Sequence, residues 1–237
     1  MLDHTGPDVS RPFMPEFIHL DSHRGKTGNG RSAVLPKTFL FREGERAGTL
    51  YRVEEGCVAL SQLLADGRRQ IIDIMGPGRL FGMSPLAVHL ATAEMLSHGL
   101  IERVDETQVD PVEIGANLRL MLGRSQFHAT LLGRKTASEK VASAILDLSS
   151  QFARRPSLRR SLRTTFTLFL TRADLADWLG LTVETVSRCL NSLKRTGILD
   201  FRHPEIITIC NQKALAEIAG TVGHFSLAEN AIQGLRA

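Results

Sequence analysis

The sequence predicts an α+β protein, with an antiparallel β-roll, a long helix, and a C-terminal helix-turn-helix that carries a β-hairpin wing. Three observations support this class. Short apolar runs split by glycine turns fill residues 33–112, apolar residues switch to helical spacing in 113–152, and a compact helical block precedes two strand-like runs in 153–220. With 237 residues and 43% hydrophobic content, the chain can build more than one core.

The β-roll is predicted from runs such as "TFLFREGE", "GTLYRVEEGCVALSQLL" and "LIERVDETQVDPVEI". Their length and spacing fit many short strands, and Asp66-Gly67 between two of the runs is a favourable hairpin turn. Residues 1–32 are rich in Gly, Pro, His and charge, and are predicted to be a flexible leader. Residues 221–237 are predicted to be a C-terminal tail.

Residues 113–152 are predicted to form a long helix of about 20 residues and then a second helix. One stripe of the long helix is formed by mostly apolar residues, namely Ile114, Leu118, Met121, Leu122, Ser125, Ala129 and Leu132. This stripe suits packing on the β-roll and on a second copy of the chain. An intramolecular core stripe fits the periodicity equally well.

The helical block after residue 170 has the signals of two helices joined by a tight turn. Before it, "ARRPSLRRSLRTTF" is predicted to be a basic loop and "FTLFL" a short strand. Thr171 is predicted to cap the first helix, with Asp174 completing a capping box, and Thr182 to cap the second helix. Gly180 between them can adopt the left-handed conformation that a sharp turn needs.

The basic excess of the chain lies in its C-terminal part. Residues 152–237 carry 12 Lys and Arg against 7 Asp and Glu, whereas residues 1–151 carry 17 against 18. Such a region is expected where a protein meets phosphate, although a solvated basic surface gives the same count.

The second helix of the block presents a polar face that begins in its first turn. At about 100° per residue, Glu184, Ser187 and Arg188 fall on one side of this helix. A recognition helix presents its base-reading side chains at this place, where Arg can donate to guanine and Glu can accept from cytosine. A surface ion pair between Glu184 and Arg188 is the alternative. The residues predicted to contact the DNA backbone are Thr182, Arg172, Arg195 and Arg202.

Two long segments resemble the CRP/FNR family. "LTRADLADWLGLTVETVSRCLNSLKRTGIL", the hairpin and "ALAEIAG" are similar to the family's winged helix-turn-helix, and "GERAGTLYRVEEGCVALSQLLADGRRQIIDIMGPGRLFG" resembles its cyclic-nucleotide-binding-like β-roll. With the connecting helix, the resemblance covers about residues 34–220. It implies a β-roll, a long dimerisation helix and a winged helix-turn-helix. It also implies a homodimer that binds palindromic double-stranded DNA, contacts RNA polymerase and usually activates transcription.

The pattern Glu-x-x-Ser-Arg of the recognition helix is matched by Glu184, Ser187 and Arg188. This match implies the FNR/FixK branch and an inverted repeat of TTGA-like half-sites. Val183 stands where the CRP branch has an arginine, which disfavours the CRP half-site. Membership of a low-oxygen, nitric-oxide or redox-linked programme is implied by the resemblance alone.

The resemblance also indicates which cofactors to expect. Cyclic-AMP-binding members hold the ribose with a Gly-Glu-Leu stretch and the phosphate with an Arg-Ser pair. Here "FGMSPL" has Met83 in place of the Glu and "HLATAEMLSHG" has no arginine, so cyclic AMP is not expected. Residues 1–56 contain no cysteine, so the iron–sulfur cluster of FNR is not expected either. Haem stays open, with His89, His98 and His128 as candidates, and a haem-based nitric-oxide sensor is an alternative function.

Two further function classes are disfavoured. The chain has no G-x-S-x-G, no HExxH and no phosphate loop, so it is not expected to be an enzyme or to hold a metal. A ligand-binding module without DNA function is the remaining alternative from another class. Cys189, at the edge of the apolar face, is predicted to be a packing residue, with redox sensitivity as the alternative. No apolar run could span a membrane and no signal peptide is evident, so a cytoplasmic location without a membrane partner is expected.

Overall fold

The computed structural model describes residues 30–153 and 163–220. The predicted tail, most of the predicted leader and the basic loop at 154–162 lie outside the described residues. The first strand, β1 (Arg31–Val34), begins inside the segment that the sequence assigned to the leader. It does so because Arg31 and Ser32 pair antiparallel with Glu102 and Ile101 of another strand.

The N-terminal part is the predicted antiparallel β-roll, built from two four-stranded sheets. Its other strands are β2 (Phe39–Phe41), β3 (Leu50–Glu55), β4 (Val58–Leu63), β5 (Arg69–Met75), β6 (Leu80–Phe81), β7 (Thr92–Met95) and β8 (Gly99–Val104). The sheet orders are β1-β8-β3-β6 and β2-β7-β4-β5. The predicted hairpin turn at Asp66-Gly67 joins β4 to β5, and the Leu64 backbone N–H donates to the Arg68 carbonyl there at 2.8 Å.

Two helices follow the roll. The first, α1 (Pro111–Arg134), begins where the Asp110 carboxylate accepts from the Val112 backbone N–H, and the second, α2 (Ala137–Phe152), begins at a capping box of Thr136 and Glu139. These caps supply partners for backbone N–H groups that have none within a helix. In the described part of the chain, no helix is both long enough and apolar enough to cross a bilayer.

The predicted stripe of α1 is largely uncovered by the rest of the chain. Leu118 and Leu122 expose 48% and 60% of their surface, and Ser125 and Ala129 are exposed as well. The face of α1 that packs within the chain is a different one, which carries the buried residues Ala116, Asn117, His128 and Leu131. The stripe therefore divides: its middle, from Leu118 to Ala129, is mostly exposed, whereas Ile114 and Leu132 at its two ends pack against the chain's own core.

The C-terminal part contains β9 (Thr164–Thr167), α3 (Arg172–Leu179), α4 (Val183–Arg195), β10 (Leu199–His203), β11 (Ile206–Ile209) and α5 (Gln212–Ala219). The strands β9, β10 and β11 form one antiparallel sheet, in the order β10-β11-β9. The strand predicted in "FTLFL" starts two residues earlier than expected, at Thr164. All four residues of β9 pair with β11, whereas Leu168 and Leu170 leave the strand to enter the core.

A buried ion cluster joins the β-roll to both long helices. The Arg124 guanidinium on α1 donates to Asp73 of β5 at 2.6 Å and to both oxygens of Asp147 on α2 at 2.8 and 3.0 Å. Arg79 donates to the other oxygen of Asp73 at 2.8 Å. Burial would raise the pKa of Asp73, but the two guanidiniums outweigh it and hold that pKa below its usual range. The cluster fixes β5, α1 and α2 relative to one another.

The interior of the roll is filled with apolar and aromatic side chains. Phe41 lies against both Tyr51 and Phe81, and the ring of His89 stacks on Phe41 with centroids 3.7 Å apart. Met83, which replaces the sugar-binding Glu of cyclic-AMP binders, packs with Leu50 and other apolar residues.

His89 is expected to make the stability of the fold depend on pH. Burial lowers the pKa of His89 below its ordinary value of about 6.5. The unfolded chain therefore binds this proton first, and stability falls as the pH drops below about 6.5. Urea unfolding between about pH 7.5 and 5.5 measures this loss. His89→Phe, which keeps a stacked ring and cannot titrate, should show a smaller loss, while the exposed His98→Gln should match the parent.

Candidate nucleic-acid interface

The first helix of the motif, α3, begins at the predicted capping box. The Thr171 hydroxyl accepts from the Asp174 backbone N–H at 3.1 Å, and the Asp174 carboxylate accepts from the Thr171 N–H at 2.9 Å. Gly180 ends the helix with φ 60° and ψ 46°, the left-handed conformation in which an L side chain is strained. A Cβ there would also lie 3.3 Å from Leu132. The predicted turn is therefore confirmed.

The second helix, α4, begins at Thr182, whose hydroxyl accepts from the Thr185 backbone N–H at 3.2 Å. Val186, Leu190 and Leu193 of α4 are buried against the core, as the sequence predicts. This packing fixes the rotation of the helix about its axis, so the opposite face must point outward.

Two of the three predicted base-reading side chains, Glu184 and Arg188, are exposed on that outward face, and Ser187 is half-buried. Among the described residues no ion pair joins Glu184 to Arg188. The Arg188 guanidinium instead approaches the Thr185 hydroxyl at 3.4 Å. Hydrogen bonds from its own backbone N–H and from Thr182, with the nearby charge of Arg188 as a smaller cause, lower the pKa of Glu184, so it is an ionised acceptor at neutral pH. Both side chains can thus reach outward separately.

The four residues predicted to contact the DNA backbone have different surroundings. Thr182, Arg195 and Arg202 are exposed. Arg172, the first residue of α3, is half-buried, and its guanidinium lies 5.6 Å from the centre of the Phe201 ring. Thr182 combines its exposure with the capping role described above.

An open cleft of about 450 Å³ runs between α4 and the start of α2. Cys189 lies in it, half-buried, with its sulfur 3.9 Å from the Ser138 hydroxyl and its side chain packed against the core. The packing prediction for Cys189 is confirmed. The residues that line the cleft are Ser138, Arg188, Cys189, Asn191, Ser192 and Arg195.

A second set of contacts holds the helix-turn-helix on the β-roll. Arg69 of β5 donates to Asp177 of α3 at 2.8 Å, to Glu94 of β7 at 3.2 Å, and to Asp174. Gln70 donates to the Trp178 carbonyl at 3.3 Å, and His128 of α1 hydrogen-bonds the same carbonyl at 2.8 Å. The recognition motif and the roll are therefore coupled through α3.

Comparison with known proteins finds the same two parts. Residues 139–218 match the Crp-like helix-turn-helix domain family, and residues 32–110 match the cyclic nucleotide-binding domain family. The "Nitrogen fixation regulation protein FixK" of Azorhizobium caulinodans is 35% identical over 200 residues, which cover 80% of this chain and 79% of that protein. The chain belongs to the CRP/FNR family.

Other family members give the same result. The "Fumarate and nitrate reduction regulatory protein" of Escherichia coli K12 is 32% identical over 192 residues, covering 76% of this chain and 75% of that protein. The structure of FixK2 from Bradyrhizobium japonicum superposes with a TM-score of 0.73 at 30% identity, covering 81% of this chain and 98% of that one. The chain is thus a DNA-binding transcription regulator of the FixK type, from a family of regulators and not of enzymes.

Two residues near the recognition helix were missed by sequence reasoning. Lys194 and Phe201 lie 4.4 Å apart, measured from the ammonium nitrogen to the ring centre. The usable signal was an aromatic residue in the hairpin strand, flanked by charged residues. Its pairing with Lys194 depends on how β10 returns past the end of α4.

Proposed function

We propose that this family member is a dimeric transcription regulator that binds an inverted repeat of TTGA-like half-sites and acts as an activator. Glu184, Ser187 and Arg188 read the bases, and Thr182, Arg172, Arg195 and Arg202 contact the backbone. The observation that carries the proposal is the outward face of α4, where Glu184 and Arg188 are exposed and, among the described residues, form no ion pair with each other. Arginine, glutamate and serine in the first half of such a helix suit direct readout in the major groove.

The uncovered stripe of α1 supports the dimer. Leu118 and Leu122 lie about one turn apart on α1, and their exposed apolar surface is costly in water unless a second surface covers it. A second copy presents the same stripe, as a two-fold interface requires. Two recognition helices related by this symmetry would read half-sites one helical turn apart.

The names of the relatives support the assignment to a programme. They include proteins called nitrogen fixation regulation protein and fumarate and nitrate reduction regulatory protein. We place this regulator in a low-oxygen, nitric-oxide or redox-linked response in the cytoplasm, acting through RNA polymerase.

Binding to a synthetic operator tests the proposal. A duplex with two TTGA half-sites in inverted repeat, their centres one helical turn or about 10 base pairs apart, should bind two protomers at moderate salt. Its affinity should be about 10³-fold or more higher than that of a duplex of the same length with scrambled half-sites. Fluorescence anisotropy gives both affinities, and sedimentation gives the stoichiometry. Equal binding to the two duplexes would refute the proposed site. No binding to any duplex would favour a ligand-binding module without DNA function.

Three histidines bear on the haem alternative. His128 already hydrogen-bonds the Trp178 carbonyl, His89 is buried against Phe41, and His98 is exposed. The engagements of His128 and His89 support a regulator that needs no haem. An absorption spectrum of the purified protein with added haem tests it, because a Soret band that shifts with nitric oxide would establish the haem-sensing alternative.

A further inference from the structure

Two cationic side chains lie on one aromatic ring where the helix-turn-helix meets the wing. The Arg172 guanidinium, at the start of α3, is 5.6 Å from the centre of the Phe201 ring, and the Lys194 ammonium, in the last turn of α4, is 4.4 Å from it. Lys194 also donates a hydrogen bond to the Phe201 carbonyl. The elements α3, α4 and β10 therefore bring two positive charges close to one aromatic ring.

Neither charge is neutralised by an acidic side chain. Within residues 30–153 and 163–220, no carboxylate lies at ion-pair distance from Arg172 or Lys194. Asp200, next to Phe201 in the strand, is exposed and pairs with neither. One guanidinium nitrogen of Arg172, Nη1, is buried without a hydrogen-bond partner. Burial lowers the pKa of this arginine, and no nearby acid opposes the effect.

A purely structural stack does not account for this arrangement. One cation over the ring would suffice to hold the wing against the helices, because a cation–π contact is made by a single charge on a ring face. The second cation adds repulsion, and the buried N–H of Arg172 costs free energy as long as it has no acceptor. An anion with several oxygens would relieve the repulsion, since it could accept from the guanidinium and offset the ammonium.

We propose that Arg172 and Lys194, positioned by the Phe201 ring, form an anion site that takes a phosphate group. This inference rests on the proposed function, which makes a backbone phosphate of the operator the occupant. It deepens that function by adding Lys194 and Phe201 to the interface. Arg195 and Arg202, each next in sequence to one member of the site, extend the positive surface on either side.

The salt dependence of DNA binding tests the site. Each phosphate contact contributes about 0.9 to the slope of log affinity against log salt. Because a dimer carries this site twice, Lys194→Gln should lower the slope by about 1.8, and it should weaken binding to the operator and to a scrambled duplex by the same factor. Phe201→Leu should weaken both equally without any change of charge. Lys213→Gln is the matched control, because Lys213 is an equally exposed lysine on α5 of the same domain. A Lys194→Gln protein that behaves like Lys213→Gln would overturn the site while the DNA-binding function stands.

A small anion separates the site from the function. Inorganic pyrophosphate, titrated at constant ionic strength into the full chain with ¹³C-labelled phenylalanine, should shift the Phe201 ring signals in a saturable way. The shift should disappear in Lys194→Gln and persist in Lys213→Gln. Saturation without any DNA binding would keep the anion site and reject the operator as its occupant. Absence of saturation, together with an unchanged salt slope in Lys194→Gln, would reject the site.

Discussion

Replacing Arg124 with methionine should lower the free energy of unfolding by about 3–5 kcal/mol, the range for breaking a buried ion pair from one side. The side chains of Arg124, Asp73 and Asp147 expose only 11%, 13% and 2% of their surface. Without the guanidinium, Asp147 still accepts from the Gln151 side-chain amide at 3.0 Å, but this donor is neutral. A buried carboxylate without a counter-charge is among the costliest defects in a core. Urea unfolding at neutral pH measures the loss.

The double variant Arg124→Met with Asp147→Leu is the matched control for that experiment. It removes the stranded carboxylate together with the guanidinium, while Asp73 retains its bond from Arg79. Because apolar replacement of a whole buried pair is often neutral or stabilising, most of the lost stability should return. If Arg124→Met lost less than about 1 kcal/mol of unfolding free energy, which is what an exposed ion pair contributes, the proposed contribution of the buried cluster to stability would be wrong.

Replacing Arg188 with alanine should weaken operator binding by about 1–3 kcal/mol, which is about 5- to 150-fold, and should relax the preference at one guanine of each half-site. The reason is that a bidentate arginine distinguishes guanine from the other bases through two acceptors. Anisotropy titrations against the TTGA palindrome and its single-base variants measure both effects. The fold should be unaffected, because the Arg188 side chain is exposed and its hydrogen bond to Thr185 is long, at 3.4 Å.

Arg195→Ala is the comparison for Arg188→Ala. Both remove one exposed arginine from α4, but Arg195 is assigned to the backbone. Its loss from both protomers of the dimer should weaken binding to all duplexes equally and reduce the salt slope by about 1.8. If Arg188→Ala left the ranking of the base variants unchanged, the assigned base contact would be wrong.

The parts of the structure that could be predicted are those encoded within a few residues. The capping boxes, the glycine turn and the inner face of α4 each depend on neighbours three or four positions apart, so Thr171, Gly180 and Val186 identify them in the sequence. The strand β9 was misplaced by two residues because its extent is set by pairing with β11, about 40 positions later. Its local composition continues to look strand-like through Leu170.

The ion clusters and the anion site could not be predicted for a related reason. Asp73 and Arg124 are 51 residues apart, and Arg69 and Asp177 are 108 residues apart. No periodicity links such positions, since their meeting depends on how the roll docks against the helices. From the sequence alone, charged residues in strands are predicted to be exposed to solvent, and only the packing of the roll against the helices shows that they are buried. The same limit applies in the candidate interface. The exposed position of Arg188 could be predicted from the periodicity of α4 alone, whereas the contact of Lys194 with Phe201 depends on how β10 packs against α4.

The only tryptophan of the chain, Trp178, has a consequence for experiments on this regulator. Its carbonyl accepts from both Gln70 of the roll and His128 of α1, and its ring lies 6.3 Å from the His128 ring. An indole changes its emission when its surroundings change. The fluorescence of Trp178 therefore reports on the contact between the β-roll, α1 and the helix-turn-helix in the unmodified protein. A stopped-flow trace of its fluorescence would follow separation of these parts in real time, without any label.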